Sequence, residues 1–348
     1  MPRISPIARL ANRLQPVLIT AVAAVFALGA NAAKAETYVL PANGDSIVGG
    51  IRTIQASESD TLVDIARAQG FGYEAIRAAN PSVDAWMPRA GTQVVLPSRY
   101  ILPSTPREGI VVNTAEMRLY YYPKVKKGEK AVVETFPVAI GRGDWRTPQV
   151  VTRVSSKVKD PVWYPPETIR AEHAKDGDIL PKVVRAGPDN PLGKYALRLT
   201  IPSYLIHGTN KQYGVGMQVT HGCIRMYPEH IERVFNTVPV GTPVRIIYEP
   251  VKAGWQGGQL FVEVHPPLEG VPAAEISSVT PLLNAITNAT KAAPSYPVDW
   301  QQAQVAKLEA SGLPTPIGPA LFVNALSESN ALGESKVSVP TVSEVKQN

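Results

Sequence analysis

Cysteine is nearly absent from this chain. Cys223 is the only one in 348 residues. That excludes an internal disulfide framework, and no Cys-x-x-Cys string exists to build a paired-cysteine zinc site. Long apolar runs are also scarce. The one candidate, 17–28, follows Arg3, Arg9 and Arg13 and precedes the small-x-small string Ala33-Lys34-Ala35. It is shorter than the ~20 residues a membrane span needs. The pattern is that of a secretory signal (1–35) cleaved after Ala35, which leaves no transmembrane segment and an exported, periplasmic chain. Strong charge of one sign is missing too. Removing 1–35 takes away Arg3, Arg9, Arg13 and Lys34 and no acidic residue, so the formal charge falls from +6 to +2. Nothing in that balance supports nucleic-acid binding.

What is present falls into segments. Residues 36–50 read as an extended linker. Within 51–98, Asp60 is placed to cap a helix that carries Leu62, Ile65 and Ala66 on one face and ends at Gly70. A second short helix runs through Tyr73, Ile76 and Ala79, and the 91–97 string reads as a returning strand stopped by Pro97. The order is β, α, α, β. Residues 107–249 are rich in short strands with Gly and Pro turns, plus one amphipathic helix at 228–236. This argues for a mainly β fold, a sandwich or a barrel. Residues 250–268 extend that domain. From 269 to 348 Pro, Ala, Ser and Thr dominate, and the segment reads as a mostly disordered tail with one helical patch at 298–311.

A lone thiol needs a reason to exist. It can be core filler, because free cysteine is among the most buried residue types. It can also be a nucleophile, because a thiol near its reference pKa of about 8.5 needs a base at neutral pH, and histidines lie nearby in sequence. The five histidines are His173, His207, His221, His230 and His265. His207 ends the apolar string Tyr204-Leu205-Ile206, where a base would be held rigidly. His221 lies two residues before Cys223, so in extended chain both side chains point to one side. His207 is therefore the expected base and His221 a pocket residue. His230 is expected on a solvated helix face. A zinc set of His207, His221 and Cys223 is the competing reading by ligand type. No cofactor or resident metal is expected.

Two resemblances sharpen this. Asp60-Thr61-Leu62, Ile65-Ala66, Ala79-Asn80-Pro81 and 91–97 resemble a LysM module, a binder of N-acetylglucosamine-containing glycans. His207 with Thr220-His221-Gly222-Cys223-Ile224-Arg225 resembles the signature of the L,D-transpeptidase catalytic (YkuD) family. Pro161-Val162-Trp163-Tyr164-Pro165-Pro166 and Asn190-Pro191-Leu192-Gly193 support it. Thr147-Pro148-Gln149-Val150 departs from the family by lacking a glycine. The 254–268 stretch is similar to the exported Gram-negative branch with an N-terminal LysM.

The resemblance implies a β-sandwich catalytic domain with Cys223 as nucleophile, His207 as base and the Gly208 carbonyl orienting the base. Backbone amides around Gly222 and Cys223 would form the oxyanion hole beside His221. Arg225, Thr220, Trp163 and Tyr164 would contact substrate, although core burial competes for Trp163 and Tyr164, and a structural ion pair competes for Arg225. The implied partners are peptidoglycan stem peptides and glycan. The acyl acceptor is expected to be a lysine of an outer-membrane lipoprotein or β-barrel protein. Alternatives are another diaminopimelate, giving 3→3 cross-links, or water. A non-catalytic wall-binding protein is a further alternative.

Overall fold

The computed structural model describes residues 36–320. Residues 1–35, the expected secretory signal, and the last part of the expected tail lie outside the described residues.

The chain enters through β1 (Glu36–Val39) and β2 (Ile47–Gly49). Then follow β3 (Arg52–Gln55), α1 (Leu62–Gln69), α2 (Tyr73–Ala79), β4 (Gln93–Leu96) and β5 (Arg99–Ile101). β3 and β4 pair antiparallel around the two helices. The cap of α1 is Thr61, one residue after the expected Asp60. Thr61 accepts from the Asp64 amide while Asp64 accepts from the Thr61 amide, a reciprocal capping box. Gly70 closes the helix in the left-handed region at φ +76°.

The central sheet is built from β6 (Gly109–Asn113), β7 (Arg118–Tyr122), β8 (Val132–Pro137), the long β10 (Val150–Lys159), β11 (Tyr195–Leu199), β12 (Leu205–His207), β14 (Ile224–Arg225) and β15 (Pro243–Ile247). Between them lie β9 (Ile140–Gly141), α3 (Glu167–Lys175), β13 (Gln218–Thr220) and α4 (Pro228–Thr237). The expected sandwich is one curled sheet of nine strands, ordered β1-β8-β7-β6-β15-β10-β11-β12-β14. β10 belongs to both halves. A register shift between Val154 and Ser156 marks where it passes from β15 to β11. Ile110 and Leu119 from one half and Leu197, Ile206 and Ile224 from the other line one core, closed by Ile231 and Val234 of α4.

β6 and β7 do not alternate apolar with polar, because both faces of the sheet are covered. Ile110, Val112, Leu119 and Tyr121 face that core. Val111, Tyr120 and Tyr122 face the other way, onto Leu62, Ile76, Leu96 and Tyr100 of the N-terminal segment. The N-terminal βααβ unit is thus packed on the central sheet rather than strung from it.

Two expectations are corrected. Residues 36–50 are not a linker: β1 pairs with the edge strand β8 and β2 pairs with β5. The stretch Tyr38-Val39-Leu40 supplies an extended edge that short polar neighbours disguised. Residues 269–320 are not a disordered tail. β16 (Val251–Gln256), β17 (Gln259–Val264) and β18 (Thr315–Pro316) form a second sheet. α6 (Thr280–Ala289) and α7 (Trp300–Glu309) pack on it, preceded by the short α5 (Ala273–Ser277). Leu282, Ile286, Tyr296, Ala303, Ala306 and Ile317 are buried there. Small, widely spaced apolar residues suffice because the partner sheet supplies the large ones. The remaining tail, 321–348, lies outside the described residues.

Candidate active site

Two side chains are set by one strand pair. β12 and β14 run parallel, with Ile206 opposite Ile224 and His207 opposite Arg225. Ile206 and Ile224 point into the core. Side chains alternate along a strand, so His207 and Arg225 share the other face. Cys223 immediately precedes β14, and the Leu205 amide and the Arg225 charge both act on its thiol. Cys223 is half-buried, and its thiol lies 3.5 Å from the Ser203 carbonyl.

Each group is held. His207 is 4% exposed, and its Nδ1 lies 2.6 Å from the Gly208 carbonyl. A carbonyl only accepts, so Nδ1 carries the proton and Nε2 is the acceptor of the neutral ring. Burial, reinforced by the Arg225 charge, lowers the His207 pKa to about 4, against the opposing pull of the Gly208 and Leu192 carbonyls. Burial pushes the Cys223 thiol up, while the Leu205 amide and Arg225 pull it down. Burial lowers the Arg225 pKa as well, and its Nε is buried with no hydrogen-bond partner among the described residues. The site therefore holds a neutral base, a protonated thiol and a guanidinium with bonding capacity to spare.

The turn before the thiol is pinned from behind. Gly222 sits at φ +97°, and a Cβ there would come 3.0 Å from the Tyr204 ring. Thr147 accepts from the Gly141 amide and donates to the Gly222 carbonyl, both at 2.9 Å. That fixes the 222–223 peptide, and in a trans peptide the Cys223 N–H points away from the fixed carbonyl. Thr220 donates to the Cys223 carbonyl at 2.6 Å. Gly141 admits no side chain, since a Cβ would meet the Trp145 carbonyl and Gly222 Cα. Beneath the base, Asn190 is buried, donates to the Pro161, Val184 and Arg185 carbonyls, and accepts from the Leu192 amide. This seats Gly193 against Gly208.

Several residues fall where residue type alone did not put them. His221 Nε2 lies 3.2 Å from Glu172 on α3, with its ring edge-on to Trp145. Burial lowers its pKa, against the pull of Glu172. Glu172 also pairs with Arg142, which holds its carboxyl below the usual range. α3, Glu172, Arg142 and Trp145 had no motif to announce them. A helix of alternating charge reads as solvated, and only its approach to His221 shows otherwise. His173 is brought within 6.0 Å of His221 and bonds Asp178. His230 is not solvated: it is buried on α4 against the rings of Phe136 and Tyr227. Tyr164 is not core, being 67% exposed, and Trp163 is half-buried, its backbone bridged to Val184.

His207, His221 and Cys223 do not converge as metal ligands. Among the described residues only Glu116, Glu263 and His265 come that close, and the Lys252 ammonium already sits 2.9 and 2.7 Å from the two carboxylates.

Comparison with known proteins finds a matching family and several relatives. The L,D-transpeptidase catalytic domain family (YkuD) matches residues 107–246. A probable L,D-transpeptidase of Escherichia coli, ErfK/SrfK, is 41% identical over 293 residues, spanning 81% of this chain and 91% of its own length. A second from that organism, YbiS, is 44% identical over 262 residues, 74% of this chain and 84% of its own. A solved L,D-transpeptidase from Mycobacterium tuberculosis is 20% identical over 45% of this chain and 63% of that one, with a TM-score of 0.29.

Proposed function

This chain belongs to the L,D-transpeptidase catalytic (YkuD) family and is an L,D-transpeptidase of peptidoglycan, and we propose that Cys223 carries the acyl group, with His207 as its base. The observation that supports this reading is the β12–β14 register, which pairs His207 with Arg225, together with the Arg225 charge that acts on both His207 and the Cys223 thiol just before β14. His207 Nε2 takes the thiol proton, and the sulfur attacks the carbonyl of meso-diaminopimelate in a tetrapeptide stem. The C–N bond to the terminal D-alanine breaks, and the same imidazole gives its proton to the leaving amine. An incoming amine then attacks the thioester, the C–S bond breaks and the thiol is restored. An imidazole with a lowered pKa suits this cycle, since the imidazolium is short-lived and gives its proton up readily. The Cys223 N–H, fixed through Thr147 and the Gly222 carbonyl, is the oxyanion donor, and losing one such donor costs about 10²–10³ in rate. The unpartnered Nε of Arg225 takes a donor carboxylate. His221, Thr220, Trp163 and Tyr164 complete the pocket.

The enzyme works in the periplasm after cleavage behind Ala35. The 51–98 unit is a LysM-like module that holds it to the wall. The acceptor is a lysine of an outer-membrane protein, a reading supported by the N-terminal module and the 254–268 segment. Mass spectrometry of sacculi from a deletion strain tests this. Loss of protein-linked muropeptides is expected. Loss of 3→3 dimers with protein links intact would assign the acceptor to diaminopimelate.

A further inference from the structure

The loop from His207 to Cys223 is held by the N-terminal unit. Its turn at Gln212–Gly214 is tied by Arg67 of α1, whose Nε donates to Gln212 at 2.6 Å. The same guanidinium forks onto Glu229 of α4 at 2.6 and 3.1 Å and lies over the Tyr227 ring, 4.5 Å from its centre. Tyr227 donates in turn to the Phe71 carbonyl. The next residues of the loop cap α2. The Tyr73 and Glu74 amides donate to the Val215 and Gly216 carbonyls, so two of the free N–H groups of the helix start are satisfied by this loop. Contact there is backbone on backbone. A Cβ on Gly72 would come 2.8 Å from Gly216 Cα.

On its inner side the turn covers Arg225. A Cβ on Gly214 would come 3.4 Å from the Arg225 Nη1. The turn thus lies between Arg67, which holds it, and Arg225, whose buried Nε has no partner.

The geometry points to Arg67 as a positioning residue for catalysis: through Gln212 and the Gly72–Gly216 contact, the N-terminal unit sets the turn that aims Arg225 at a donor carboxylate. This rests on the proposed use of Arg225 as the carboxylate contact. It makes the N-terminal unit part of the donor site and not only a wall anchor.

The test uses the full chain and three variants, Arg67→Ala, Gln212→Ala and Gly72→Ala. The last is a wedge at a position of ordinary φ (−83°), so it carries no intrinsic backbone strain. Two rates are read for each. One is acylation of Cys223 by a stem tetrapeptide with free carboxylates, resolved into kcat and KM. The other is alkylation by iodoacetamide, small and uncharged, which needs the thiol but no carboxylate contact. Acylation kcat/KM is expected to fall about tenfold in Arg67→Ala and Gly72→Ala, mostly through KM, and about threefold in Gln212→Ala. Alkylation is expected to stay within about twofold of the parent, and Arg67→Lys to recover part of the loss. Unchanged acylation in all three variants overturns the proposal. Equal falls in acylation and alkylation, with a lowered Tm, also overturn it, by reducing Arg67 to a structural tie. If the parent is itself not acylated, the failure lies in the donor reading, and that outcome is distinct from both.

Discussion

Two clusters of ionisable groups, among several that the molecule buries, are treated in opposite ways. Lys252, 2% exposed, is surrounded. Its ammonium bonds Glu116, Glu263 and the Ile101 carbonyl, while Glu263 also bonds His265 and the Ile101 amide, and Glu116 takes Tyr120 and Asn113. Burial alone would lower the Lys252 pKa, but the two carboxylates outweigh it and hold it charged. At β12–β14 the opposite holds. His207, Cys223 and Arg225 are shifted towards their neutral forms by burial, and among the described residues no carboxylate compensates. The saturated cluster joins the C-terminal sheet to the central one. In the proposed function, the unsaturated one keeps its bonding capacity for a substrate. A buried charge with every bond made stabilises a fold, and one with bonds left over marks chemistry.

That contrast can be broken from either side. The largest effect is expected at the base. His207→Ala should slow acylation of Cys223 by about 10²–10⁴, and His221→Ala by less than about tenfold, the worth of one ordinary hydrogen bond. Stopped-flow acylation reads both, and equal losses would erase the distinction between base and pocket. At the saturated cluster, Lys252→Met should strip two buried carboxylates of their partner and cost about 3–5 kcal/mol of stability. Urea midpoints measure this, and a cost near zero would mean that the cluster is not the tie described. Thr147→Val leaves the Gly222 carbonyl and the Gly141 amide unpaired, which should cost about 1–3 kcal/mol and slow acylation with little change in KM. A slowed rate with full stability would make Thr147 catalytic rather than structural.

The smallest effect is in pH. The folded His207 pKa of about 4 lies below the unfolded 6.5. The unfolded chain therefore takes its proton first as pH falls. The stability is intact above 6.5 and is lost as pH drops towards 4. Tm of the parent should fall across that window more than Tm of His207→Ala, and the acid limb of acylation should lie near 4. A limb at 6.5 would mean an unperturbed base.

Much of this was legible in residue order, for identifiable reasons. β6, β7, β11 and α4 announce themselves by periodicity and turn residues. Gly222 and Cys223 stand in one short string and His207 ends an apolar string sixteen residues upstream, so their chemistry could be read before their geometry. The rest depended on contacts distant in sequence. β1 looks like a linker until β8 provides its partner. α6 and α7 look unfoldable until β16 and β17 provide the large apolar surface. His230 looks solvated because its charged neighbours on α4 hide the rings that cover it. Glu172 carries no motif, and only the path of α3 brings it to His221. Arg67 lies 156 residues before Cys223 in the chain, and nothing local links them. The string Asn190-Pro191-Leu192-Gly193 was visible, but its task was not, since supporting Gly208 beneath the base is a three-dimensional fact.

In the proposed function the unsaturated site makes a thioester at Cys223. Intact-protein mass spectrometry of the full chain incubated with a stem tetrapeptide tests it most directly. The account predicts one adduct, mapped to Cys223, with one D-alanine released per adduct and none formed in Cys223→Ala. An adduct of equal yield in Cys223→Ala, or D-alanine release without any adduct in single-turnover conditions, would contradict it.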